Sequence, residues 1–480
     1  MEHQRKLFQQ RGYSEDLLPK TQSQRTWKTF NYFTLWMGSV HNVPNYVMVG
    51  GFFILGLSTF SIMLAIILSA FFIAAVMVLN GAAGSKYGVP FAMILRASYG
   101  VRGALFPGLL RGGIAAIMWF GLQCYAGSLA CLILIGKIWP GFLTLGGDFT
   151  LLGLSLPGLI TFLLFWLVNV GIGFGGGKVL NKFTAILNPC IYIVFGGMAI
   201  WAISLVGIGP IFDYIPSGIQ KAENSGFLFL VVINAVVAVW AAPAVSASDF
   251  TQNAHSFREQ ALGLVVAYIL FAVAGVCIIA GASIHYGADT WNVLDIVQRW
   301  DSLFASFFAV LVILMTTIST NATGNIIPAG YQIAAIAPTK LTYKNGVLIA
   351  SIISLLICPW KLMENQDSIY LFLDIIGGML GPVIGVMMAH YFVVMRGQIN
   401  LDELYTAPGD YKYYDNGFNL TAFSVTLVAV ILSLGGKFIP FMEPLSRVSW
   451  FVGVIVAFAA YALLKKRTTV EKTGEQKTIG

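Results

Sequence analysis

The sequence predicts an all-α integral membrane protein of 12 transmembrane helices. Three observations carry this. First, 57% of the residues are hydrophobic and only 10% charged, where a soluble domain carries about 25% charge. Second, apolar runs of the roughly 20 residues that span a bilayer recur along the whole chain. Third, the basic residues are sorted between alternate loops. With the N-terminus inside, 21 lysines and arginines fall on cytoplasmic segments, and six (Lys137, Lys221, Arg299, Lys361, Lys437 and Arg447) fall on outer loops. That bias predicts a multi-pass protein of the cell (plasma) membrane with both termini cytoplasmic. It also accounts for the net charge of +7 without a nucleic-acid partner.

In order, the chain opens with a polar, basic cytoplasmic tail over residues 1–28. The spans are expected at 29–55, 58–81, 104–135, 155–175 and 183–207, forming repeat 1 over 29–207. Spans six to ten follow at 227–248, 260–284, 302–336, 345–361 and 369–395, forming repeat 2 over 227–395. A cytoplasmic loop at 396–418, spans eleven and twelve at 419–435 and 446–464, and a tail at 465–480 complete the chain. Spans one, three and eight are long enough to be tilted or broken. No cleavable leader is expected, since the first apolar run starts near Phe30 after a polar, basic tail with no small-residue cleavage site.

Span one does not suit a plain membrane helix. Pro44 has no N–H for the carbonyl of Val40 and crowds it. His41, Asn42 and Asn45 add polar groups where polarity is costly. Two readings are open: a simple proline kink, or a helix interrupted in mid-membrane, with freed carbonyls and an amide facing a cavity. In span six, Pro243 interrupts Trp240–Asp249 in the same way. Paired interruptions at matching places of two repeats mark the substrate site of a secondary transporter. They favour the cavity.

Two further stretches carry polarity into the membrane. Trp119 and Gln123 are four residues apart and share a helical face. Thr316, Thr317, Ser319, Thr320, Asn321, Thr323 and Asn325 make span eight the most polar. Their oxygens suit a hard cation, although Ser and Thr also bond back to carbonyls one turn earlier. Asp374 is the one carboxylate expected inside a span, and His41 and His390 are the spans' histidines. A cavity without fixed charge fits a neutral substrate. Asp374 is a candidate proton carrier, or the partner of a neighbouring polar group.

Other signals are set aside. Gly171–Lys178 resembles a phosphate loop, but no strand precedes it and Val179 stands where Ser or Thr belongs. A flexible cytoplasmic connection between spans four and five is expected there. Cys124, Cys131, Cys190, Cys277 and Cys358 have no metal-like spacing and read as packing residues. Asn321 and Asn419 match the glycosylation pattern but lie at or in the membrane.

Taken together, these residues resemble the first nucleobase–cation symport family, which includes hydantoin, allantoin, uracil and cytosine permeases. The resemblance runs from about Trp27 to the loop after span ten. It rests on Trp36–Tyr46, Leu95–Gly103, Trp119–Gln123, Trp240 with Asp249, Ser319–Asn321 and Ile399–Tyr405. It implies a LeuT-type fold of two inverted five-helix repeats plus two C-terminal helices. It implies a ligand ring between the indoles of Trp119 and Trp240, bonded by the amides of Asn42, Gln123 and Asn325. It implies a sodium site of backbone carbonyls at Gly38, His41 and Thr316 with the hydroxyls of Ser319 and Thr320. Asn42 replaces a longer glutamine of the hydantoin transporter, Val239 replaces a glycine, and Asp374 occupies an uncharged position.

The expected function is secondary active import of allantoin or a related neutral hydantoin-type ring with a cation. Uracil or cytosine is the alternative cargo. A channel or a membrane-embedded enzyme is disfavoured, the latter because the spans hold no nucleophile–base pair or metal cluster. No cofactor is expected, the coupling ion being sodium or a proton. The partners are a small neutral heterocycle and the lipid bilayer, with no obligate protein partner inferred.

Overall fold

A computed structural model describes residues 2–13, 15–254, 256–287, 289–290, 292–336, 341–363, 366–405 and 416–465, with side chains omitted at 16, 176–186, 188, 257, 335 and 366. Helices dominate. The only paired strands among the described residues form a two-residue hairpin, Thr150–Leu151 against Leu154–Ser155, between spans three and four.

Span one is two helices, Thr29–Val40 and Val43–Phe52. The chain turns at His41, whose φ and ψ are −87° and 66°. Pro44 sits in the first turn of the second helix, where its missing N–H has no partner to lose. Asn42 caps that turn: its Oδ1 accepts from the Asn45 N–H at 3.1 Å and its Nδ2 donates to the Ser39 carbonyl at 2.6 Å. The carbonyl of Val40 accepts from Asn45 Nδ2 at 2.8 Å. The break is thus closed by its own side chains.

Span six breaks twice, giving Ser225–Val239, Ala241–Val245 and Ala247–Thr251. The first break falls at Trp240, three residues before Pro243. Pro243 therefore begins a new half-helix, as Pro44 does, rather than ending the old one. Spans three and eight are continuous but carry π-helical turns at Leu109–Ala115 and Ala322–Ile326. Such turns recur at functional sites.

Among the described residues, eight helices are long and apolar enough to cross a membrane, and Pro440–Ser446 with Ser449–Lys465 forms a pair bent by 86°. Three shorter apolar helices, Val43–Leu55, Ser225–Val239 and Tyr343–Leu356, stand where spans one, six and nine are expected. Twelve crossings follow only if the bent pair and these three are all counted.

One expectation fails. Gly171–Lys178 is not an irregular connection, because helical backbone runs through it from Leu156 to Ile191. Each glycine costs a helix about 1 kcal/mol relative to Ala. The helix persists through them all the same.

The helices pack closely. A Cβ on Gly385 of span ten would lie 2.4 Å from the Val454 carbonyl of span twelve, so only glycine permits that approach. The N-terminal segment is anchored as well. Phe8 is fully buried and stacks on Tyr405 with centroids 4.2 Å apart. Arg25, 1% exposed, donates to the Ser85 carbonyl at 2.8 Å.

Candidate substrate and cation site

The breaks in spans one and six meet spans three and eight around one cavity. Its wall includes Asn42, Trp119, Gln123, Trp240 and Asn325, all five of the side chains proposed to hold a ring. Each is 6% exposed or less. Among the described residues, no charged side chain lines it.

The wall carries unused hydrogen-bonding capacity. Trp119 Nε1, Gln123 Oε1, Trp240 Nε1, Trp36 Nε1, Asn45 Oδ1 and Thr323 Oγ1 are buried and have no protein partner. Donors and acceptors are both present, all neutral. A buried polar atom without a partner costs about 1–3 kcal/mol, so such a set complements a polar ligand.

The five side chains are not equally available. Both ends of the Asn42 amide are engaged at the break, so its first role here is as a cap. Asn45 presents the free oxygen instead. Trp119 meets Phe372 edge-on at 4.9 Å, and Trp240 meets Trp36 edge-on at 4.8 Å. Each indole is braced by a second ring. Trp36, Asn45, Phe250 and Thr323 also line the cavity and were not singled out as ligand contacts from sequence. Trp36 and Asn45 flank the interruption, which was the available signal.

Beside this cavity, Thr320 Oγ1 lies 3.1 Å from the Gly38 carbonyl, 3.3 Å from that of Ser39 and 2.9 Å from that of Thr316. Ser319 Oγ is buried without a partner, and a Cβ on Gly38 would lie 3.2 Å from it. Gly38, Thr316, Ser319 and Thr320 are therefore neighbours. Their donor set, carbonyl and hydroxyl oxygen, suits a hard cation. The His41 ring turns elsewhere: Nδ1 is 2.9 Å from the Tyr46 hydroxyl, and the ring stacks on Phe195 at 4.6 Å.

Asp374 does not reach the cavity. Its Oδ2 is 2.6 Å from Lys437 Nζ on the connection after span eleven. Of the two roles considered, the structure supplies the pairing.

The charge that sequence reading overlooked is Arg111. It is fully buried in the π-helical turn of span three. Its Nε donates to Ser246 Oγ at 3.1 Å, at the second break of span six. Its Nη2 donates to the Gly324 carbonyl at 2.8 Å, on the cavity wall. One guanidinium thus ties three spans beneath the cavity. The signal was a remainder: 21 inner and six outer cations account for 27 of the 28 in the chain.

Comparison with known proteins agrees with this architecture. A protein of Escherichia coli (strain K12) named "Putative allantoin permease" is 98% identical over the whole of both chains. The allantoin permease of Bacillus subtilis (strain 168) is 38% identical over 94% of this chain and 93% of its own. Among solved structures, Mhp1, a nucleobase-cation-symport-1 family transporter, in a closed conformation with bromovinylhydantoin bound, superposes with a TM-score of 0.74. It is 23% identical, covers 96% of each chain, and shares the all-α membrane transporter fold. The family model described as "Permease for cytosine/purines, uracil, thiamine, allantoin" matches residues 19–453, and the chain belongs to that family of permeases.

Proposed function

We propose that the chain is a secondary active symporter that imports allantoin, or a related neutral hydantoin-type ring, by alternating access around this cavity. The observation that carries the reading is the neutral wall of unpartnered indole, amide and hydroxyl groups. A small planar ureido ring alternates N–H and C=O. Amides of Gln123 and Asn325 complement that pattern without charge, and the faces of Trp119 and Trp240 offer stacking surfaces. The names of the E. coli and B. subtilis relatives support this cargo. The test is competition for uptake among allantoin, hydantoin, uracil and cytosine in cells expressing the chain. Failure of allantoin to compete sinks the first choice and leaves a nucleobase permease, which the family's range also supports.

Sodium is the proposed coupling ion. Thr320, Ser319 and the carbonyls of Gly38, Thr316 and His41 would hold it, and its charge would draw those oxygens together. Uptake in vesicles under separately imposed Na⁺ and pH gradients tests this: accumulation driven by pH alone refutes it. The division into repeats at 29–207 and 227–395, the cytoplasmic termini and the plasma-membrane location belong to the same reading. Cation sorting between loops supports the cytoplasmic termini.

A further inference from the structure

Behind Asn325 lies a chain of amides that does not line the cavity. Asn325 Nδ2 donates to Asn321 Oδ1 at 2.9 Å. Asn321 Nδ2 faces Asn169 Oδ1 of span four at 3.1 Å and the Phe120 carbonyl of span three at 3.3 Å. Asn169 Nδ2 donates to the Phe165 carbonyl at 2.9 Å. Asn169 and Asn321 are 1% and 0% exposed.

The sense of this chain is forced. Backbone carbonyls only accept, so the nitrogens of Asn169 and Asn321 must be the atoms facing Phe165 and Phe120. Asn169 then turns its oxygen to Asn321, and Asn321 turns its oxygen to Asn325. Reversing Asn169 would set like atoms against each other at two contacts, reversing Asn321 at three and reversing Asn325 at one. Asn325 must therefore spend an N–H on Asn321, which leaves its Oδ1 for the cavity.

We propose that Asn169 and Asn321 are positioning residues that determine specificity: they lock Asn325 with its carbonyl oxygen presented, so the site selects a ring edge that offers an N–H there. This deepens the proposed function and rests on it for the ring class. A free asparagine can present either end, whereas a locked one discriminates. The lock is remote from the ligand, because two carbonyls of spans three and four set it.

A double-mutant cycle with radiolabelled allantoin tests the lock. Asn169→Leu should raise half-saturation about tenfold with the maximal rate per expressed transporter kept. Added to Asn325→Ala, it should change half-saturation less than twofold. Equal effects in both backgrounds overturn the proposal. Asn169→Ala runs the same cycle should the leucine variant not reach the membrane. Hydantoin and its two singly N-methylated forms, as competitors, test the sense. In Asn325→Ala, the penalty of one methylation should shrink about tenfold; both penalties unchanged overturns it. Allantoin uptake by the unmodified chain is read first. Its absence refutes the substrate reading alone, and the cycle and the methylation arm are then run with uracil, whose ring also has two N–H groups.

Discussion

Replacing Thr320 by Val keeps the side-chain shape and removes one hydroxyl. In an unbroken helix the Gly38 carbonyl would accept from the N–H of Asn42. At the break that N–H goes to the Val40 carbonyl instead, at 3.1 Å. The Gly38 carbonyl is left with Thr320 Oγ1. The Ser39 carbonyl keeps Asn42 Nδ2, so the valine strands chiefly Gly38. A stranded buried carbonyl costs about 1–3 kcal/mol, or roughly 5- to 150-fold in an equilibrium. If these oxygens hold Na⁺, the same substitution removes a ligand. The half-saturating Na⁺ concentration for uptake into proteoliposomes should rise about tenfold, and Thr320→Ser should restore it. Wild-type Na⁺ dependence in the valine variant would refute the cation site, even if its melting temperature fell.

Three other outcomes follow from the geometry. Trp119→Ala should raise substrate half-saturation about tenfold or more, since stacking on one aromatic is worth about 1–3 kcal/mol, while Trp119→Phe retains most affinity; competition binding on purified protein reads both. Arg111→Lys should lower the melting temperature in detergent, because a lysine cannot hold Ser246 and the Gly324 carbonyl in one fork; an unchanged melt would show that one of the two ties is dispensable. Asp374→Asn should leave gradient-driven accumulation intact at a stability cost of about 0–1 kcal/mol, as expected of a partly accessible pair with Lys437; lost accumulation would return Asp374 to the mechanism.

Much of the site was legible because its chemistry is costly in lipid. Asn42, Gln123 and Asn325 announce themselves as amides in apolar runs, and the prolines mark where helices restart. What stayed hidden is partner choice. Nothing in the sequence tells that Asn42 spends its amide on its own turn while Asn45 keeps an oxygen free, since both sit at the same break. The π-helical turns at Leu109–Ala115 and Ala322–Ile326 have no residue signature as plain as a proline, yet one turn carries Arg111 and the other carries Asn325. Asp374 reads as an isolated charge because Lys437 is 63 residues away in the chain. The run of helix through Gly171–Lys178 stayed hidden because five glycines in seven residues read as a loop.

The break at His41 also relocates electric poles. An unbroken helix from Thr29 to Phe52 would carry its positive and negative ends about 36 Å apart, near opposite faces of the bilayer. Divided as Thr29–Val40 and Val43–Phe52, it sets a negative end and a positive end side by side in the membrane interior. The carbonyl-rich end meets Thr320, and the amide-rich end, at Asn42 and Asn45, meets the cavity. A cation and an electron-rich ring edge can each be served by one segment without any formal charge. A substitution that straightened this segment would extinguish both fields together, so loss of ion response and loss of ring binding should then arise as a single defect.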